Sequence, residues 1–176
     1  MIKIYDKFLA EHDFELLSSL LMGPNVPWYY NDAIAGKETH LDGYQFVHNF
    51  FNVNKPFDKQ QSQYSSFIMP VLHKLTPKYV LRVKANLRPK TKELVTSDWH
   101  TDTEIESKTA ILYLNSNDGY TVFKQGDKVY SQANRLVLFE SHMEHAGTSC
   151  TNDKKRVVLN INYTPRKMNG KEQLPL

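Results

Sequence analysis

Between residues 78 and 163 the chain is a succession of short β-branched and aromatic runs cut by polar turns. This constrains the fold more than any other feature of the sequence. Strands are expected over 79–87, 109–114, 120–123, 128–130, 135–139 and 156–163, the spacing of an all-β sandwich or barrel. Asn117-Asp118-Gly119 and Gln125-Gly126-Asp127 read as hairpin turns. In the last strand Val157, Leu159, Ile161 and Tyr163 share one face, and Arg156, Val158, Asn160 and Asn162 the other. One face is apolar and the other half polar, as in a barrel whose interior does chemistry.

The first part of the chain is helical. Phe14, Leu17, Leu20 and Leu21 recur at helical spacing within 13–22, and Gly23-Pro24 supplies a left-handed stop and a breaker. A second apolar stripe, Tyr64, Phe67, Ile68, Val71, Leu72 and Leu75, predicts another helix, with Pro70 marking a late start or a kink. Residues 23–58 hold Trp28, Tyr29, Tyr30, Tyr44, Phe46, Phe50 and Phe51 among turn formers. So long a loop either serves function or hides strands, and its aromatics are packing or a substrate-facing wall.

At 176 residues the chain is expected to form one domain over 1–176, large enough to bury a core unaided. Apolar residues at 40% and charged residues at 23% exclude a disordered chain. The net charge of +3 is spread out, which permits an anionic ligand but offers no nucleic-acid-binding stripe. Cys150, the only cysteine, excludes an internal disulfide and a cysteine-based zinc cluster, and it fits a reducing cytoplasm. The start lacks an apolar signal core, and no stretch is long and apolar enough to span a bilayer, so a soluble cytoplasmic protein without a membrane partner is expected.

Three His-x-acid triplets occur, His40-Leu41-Asp42, His100-Thr101-Asp102 and His142-Met143-Glu144, where about 0.75 are expected by chance. On an extended segment, residues two apart point the same way, so a His and an Asp can chelate one ion while a distant strand brings a third ligand. A face of two imidazoles and one carboxylate leaves open positions, which suits non-haem iron(II). His100 and Asp102 stand just before the strand-rich region, and His145 follows the 135–139 strand, with Arg156 eleven residues further on. A buried guanidinium there could clamp a carboxylate. His145 is preferred to His142 because Gly147 follows two residues later. The triplet at His40, with His73 and Arg82, is set aside: too little chain precedes it, and His73 lies in the helical stripe. His40 and Asp42 then read as solvated loop residues, His12 and His48 as surface or packing side chains, Trp99 as packing and Cys150 as a buried thiol.

Asn86-Leu87-Arg88-Pro89, Trp99-His100-Thr101-Asp102, Thr109-Ala110-Ile111-Leu112-Tyr113-Leu114-Asn115, the run from Asn134 to Ser141, His145-Ala146-Gly147-Thr148 and Arg156 follow one another in order. In that order and spacing, over roughly 79–163, the chain resembles the 2-oxoglutarate and iron(II)-dependent oxygenases. It looks most like the prolyl-hydroxylase-like branch and the small members found in marine cyanobacteria and their phages. The resemblance implies a mainly β fold, a double-stranded β-helix or cupin-like jelly-roll, buttressed by the N-terminal helices. It implies iron(II) held by His100, Asp102 and His145, and 2-oxoglutarate bound through Arg156 and Tyr113, with dioxygen as co-reactant. Asn86 matches an asparagine lining the cosubstrate pocket in base-demethylating relatives, whose tyrosine two positions on is here Arg88.

The activity so implied is hydroxylation of a C–H bond, with succinate and carbon dioxide as coproducts. A prolyl residue of a protein or peptide is the first substrate expected. Alternatives are a free amino acid or other small molecule, or a cupin-like metal-binding module without 2-oxoglutarate turnover. Nucleic acid is not expected as a partner. A phage-encoded member would work in the host cytoplasm.

Overall fold

The computed structural model describes residues 1–32, 43–53, 62–168, 171–172 and 175. Its larger sheet has seven strands in the order β1-β8-β5-β10-β4-β3-β2. These are β1 (Lys3–Tyr5), β2 (Tyr29–Asn31), β3 (Gln45–Asn52), β4 (Pro77–Pro89), β5 (Lys108–Tyr113), β8 (Leu136–Glu140) and β10 (Lys155–Pro165), all paired antiparallel. The smaller sheet is β7-β6-β9, formed by β6 (Tyr120–Phe123), β7 (Lys128–Tyr130) and β9 (His145–Gly147). The chain passes repeatedly between the two sheets, as the expected double-stranded β-helix requires.

Side-chain alternation divides the core in two. Val157, Leu159, Ile161 and Tyr163 of β10 join Val83 and Ala85 of β4, Ala110 and Leu112 of β5, and Leu17, Leu21, Val71 and Leu75 of the helices. The opposite faces of the same strands supply Ile111, Tyr113, Val137, Phe139 and Val158, which meet Phe123 and Val129 of the smaller sheet. The helices therefore cover the larger sheet from outside, and the site lies on its inner face.

The helices are α1 (Glu11–Met22) and α2 (Met69–Leu75), with a 3₁₀ turn at Ser65–Ile68 before α2. Pro70 sits in the first turn of α2, where its missing N–H costs nothing, so the late start is what the chain adopts. The stop after α1 differs from expectation. Gly23 is extended, with φ −82° and ψ −178°, and its N–H bonds the Ser19 carbonyl. Glycine is needed there for close approach, since a Cβ would meet that carbonyl oxygen at 2.6 Å.

Two further corrections concern turns and loops. Asn117-Asp118-Gly119 is no hairpin: β5 and β6 lie in different sheets, and the segment is the corner between them. Gln125-Gly126-Asp127 does join a paired hairpin, with Gly126 at φ +104°. The aromatic segment holds β2 and β3, where Phe50 is fully buried and Tyr29, Tyr30, Tyr44 and Phe51 are exposed. His40 and Asp42 lie outside the described residues.

Candidate metal centre and its cavity

His100 and His145 are backbone partners. Residues 95–102 run antiparallel along 141–149: His100 N–H bonds the His145 carbonyl at 3.1 Å, the reciprocal bond is 3.0 Å, and Asp102 N–H reaches the Ser141 carbonyl at 3.1 Å. The two imidazole centroids are 4.4 Å apart. His145 Nε2 lies 3.8 Å from Asp102 Oδ2, and one ligand atom from each of His100, Asp102 and His145 lies within 4.8 Å of the others. Donors bonded to one ion at about 2.0–2.2 Å stand at most about 4.4 Å apart, so this set closes onto an ion with a shift below about 1 Å.

Both rings are oriented from the backbone. His100 Nδ1 meets the Asp98 carbonyl at 3.1 Å and His145 Nδ1 the Met143 carbonyl at 3.0 Å. A carbonyl only accepts, so each Nδ1 carries a proton and Nε2 is the nitrogen each ring has left for a metal. Burial, helped by the nearby His145, holds the His100 pKa below the ordinary imidazole value and keeps the ring neutral.

Asp102 receives more support than sequence reasoning foresaw. Arg82 Nη2 donates to Oδ1 at 2.8 Å, Thr109 Oγ1 to Oδ2 at 2.8 Å, and Asn160 Nδ2 to Oδ2 at 3.4 Å. Burial alone would raise this carboxyl, but His145, Arg82 and the Thr109 hydroxyl outweigh it and hold the group below its usual range. Thr109 is itself positioned by Asn162 Nδ2 at 2.9 Å.

The three residues open onto a cavity of about 430 Å³. Its wall includes Arg82, Lys84, Asn86 and Arg88, which alternate along β4 and so share its inner face. Asn86 Oδ1, Asn160 Oδ1 and Arg82 Nε are buried in this wall without hydrogen-bond partners. Buried polar atoms are rarely left unpaired, so these mark the wall of a binding site. Two imidazoles and a carboxylate form a donor set suited to iron(II), and the open side faces these atoms.

Arg156 is 5% exposed and reaches the cavity from β10. Its Nε donates to Ser131 Oγ at 2.7 Å, Nη1 to the Thr148 carbonyl at 3.3 Å and Nη2 to Thr121 Oγ1 at 3.3 Å. Tyr113 stands one layer behind the wall. Its hydroxyl donates toward Thr121 Oγ1 at 2.9 Å and the Val129 carbonyl at 3.2 Å, and the Arg156 guanidinium lies 5.4 Å from its ring centroid.

The remaining histidines are placed elsewhere. His142, His12 and His73 are exposed, while His48 is buried between the Pro27 carbonyl at 2.9 Å and Ser62 Oγ at 2.8 Å. Trp99 is not packing: alternation turns it outward when His100 turns in, and it lies under Lys124, 5.1 Å from the ring centroid. Cys150 is buried, as expected.

No family model and no curated protein matches the sequence. Solved structures do match. A Pseudomonas putida prolyl-4-hydroxylase superposes with TM-score 0.58 at 15% identity, over 93% of this chain and 92% of that one. An oxidoreductase of the 2OG-Fe(II) oxygenase family from Burkholderia pseudomallei gives 0.60 at 9%, over 97% and 88%. HygX from Streptomyces hygroscopicus, with nickel and 2-oxoglutarate bound, gives 0.55 at 10%, over 98% and 86%. The likeness establishes that this chain shares their fold.

Proposed function

We propose that this protein is an iron(II)- and 2-oxoglutarate-dependent dioxygenase that hydroxylates a C–H bond, with a prolyl residue of a protein or peptide as its first-ranked substrate. The observation that carries the reading is the convergence of His100, Asp102 and His145, with Nε2 of both rings left for a metal, beside the buried Arg156. Its support is the fold shared with a 2OG-Fe(II) oxygenase-family protein and with HygX, which holds nickel and 2-oxoglutarate. The prolyl choice is supported by the likeness to a prolyl-4-hydroxylase. The cationic wall of the cavity favours a second substrate class, a free amino acid or another small carboxylate.

Iron(II) with 2-oxoglutarate and dioxygen supplies the oxidising power for hydroxylation, with succinate and carbon dioxide as coproducts. The chain's own part is to bind, orient and exclude water. His100, Asp102 and His145 would hold the ion beside the cavity. Arg82 and Thr109 keep Asp102 ionised and aimed. Arg156 takes the carboxylate of 2-oxoglutarate far from the metal and sets its register. Tyr113 acts through Thr121 and its ring, keeping the guanidinium in place. Asn86 Oδ1 faces the same ligand. Val158 and Ile111 supply apolar wall.

Anaerobic addition of iron(II) and 2-oxoglutarate should produce a visible metal-to-ligand charge-transfer band, and oxygen should then release succinate. His100→Ala and Asp102→Ala should abolish both signals. Undiminished succinate release from Asp102→Ala would end the assignment. Prolyl peptides and small carboxylates are then screened by mass spectrometry for a gain of one oxygen atom.

A further inference from the structure

Arg88 and Arg156 face each other directly across the β4–β10 ladder, Cα partner to Cα partner, with both side chains turned to the cavity. Like charges in that relation repel, and ordinary sheets avoid it. Each is only 5% exposed. Among the described residues their partners are uncharged: Arg88 Nη1 donates to the Gly147 carbonyl at 2.9 Å, and Arg156 to Ser131, Thr121 and the Thr148 carbonyl. Burial and the adjacent Arg156 charge lower the Arg88 pKa to about 10, which leaves it a cation at neutral pH. Two desolvated guanidiniums held side by side on consecutive carbonyls are a costly arrangement unless an anion joins them.

We propose that Arg88 and Arg156 form a two-arginine clamp on a single carboxylate, so that Arg88 is a second residue selecting the dicarboxylate cosubstrate. The proposal rests on the oxygenase reading only in identifying that carboxylate as the far end of 2-oxoglutarate. A carboxylate offers about four lone-pair sites, enough for donors from both forks, whereas a monocarboxylate 2-oxo acid long enough only to reach the metal would leave both charges uncompensated. The Gly147 carbonyl needs nothing further from Arg88, since it also accepts the Ser97 N–H at 2.8 Å. Arg88 is therefore dispensable to the fold.

The test uses glutarate, which keeps both carboxylates but lacks the 2-oxo group that would chelate a metal, titrated calorimetrically into the metal-free full-length protein. Arg88→Gln and Arg156→Gln should each weaken glutarate binding at least about tenfold, a loss of about 1.4 kcal/mol. Arg88→Lys should recover part of that loss. The two substitutions should also be non-additive, as expected of side chains sharing one ligand. Without anion, Arg88→Gln should melt no lower than wild type, because the charge removed was opposed by Arg156. Wild-type glutarate affinity in Arg88→Gln, with loss in Arg156→Gln, would overturn the clamp and leave the oxygenase reading intact. Glutarate binding that follows the clamp's pattern, in a protein giving no charge-transfer band with iron(II) and 2-oxoglutarate, would support the clamp and defeat the oxygenase reading.

Discussion

Asp102 is the best-supported side chain in the site, and that support can be measured. Thr109→Val removes a hydroxyl that donates to the carboxylate and accepts from Asn162. It should destabilise the protein by about 1–3 kcal/mol in urea melts and weaken metal binding about tenfold or more. The depressed pKa values of His100 and Asp102 fix the sign of the acid response. Each group favours its deprotonated form in the folded chain, so its stabilisation is full above the ordinary value and is lost as pH falls through the folded one. Melting of the metal-free protein should therefore decline first below the imidazole reference of 6.5 and again below the carboxylate reference of 3.8. His100→Asn should flatten the first decline in a pH series of thermal melts. That His100 and Asp102 stand together was legible in the sequence, because residues two apart on an extended segment point the same way, whereas His145 was chosen over His142 from the glycine two residues later. Arg82 and Lys84 were not legible. An alternating row of polar side chains normally marks a solvent-facing strand, and it is the packing of Val83 and Ala85 on the other face of β4 against the helical core that turns this row inward.

At the level of elements, β4, β5, β8 and β10 of the larger sheet and β6 and β7 of the smaller one were predicted close to their observed limits, because β-branched and aromatic runs between polar turns carry their own signal, whereas β1 was not expected. In the smaller sheet, β9 was not foreseen. β9 has only three residues, and 95–102, which completes that side around His100, is largely polar and held by its hydrogen bonds to 141–149. Its order comes from the partner strand, which a single-sequence reading does not supply. β2 and β3 were hidden in an aromatic segment whose pairing with β4 contains a register shift between Asn49 and Phe51. The corner at Gly119 connects element to site. A Cβ there would stand 2.5 Å from the Ser149 carbonyl and 2.6 Å from Arg156 Cδ. Gly119→Ala should cost about 1–3 kcal/mol in stability and displace Arg156, raising the 2-oxoglutarate concentration needed for half-maximal charge-transfer absorbance.

For the molecule as a whole, the three ligands come from regions that only the finished fold brings together, so an ion that binds the folded state must stabilise it. At a concentration a hundred times its Kd, manganese(II) or zinc(II) should add about 2.7 kcal/mol, read as a rise of several degrees in Tm. His145→Ala should abolish that rise while folding normally without metal. No helix among the described residues is long and apolar enough to cross a membrane. The wiring of the two imidazoles to the Asp98 and Met143 carbonyls has one further chemical outcome. With Nδ1 committed to the main chain, each ring has only Nε2 left to offer a ligand. An ion bound there should therefore be ligated through Nε2 of both rings, which nitrogen-resolved NMR of the zinc(II)-loaded protein would show.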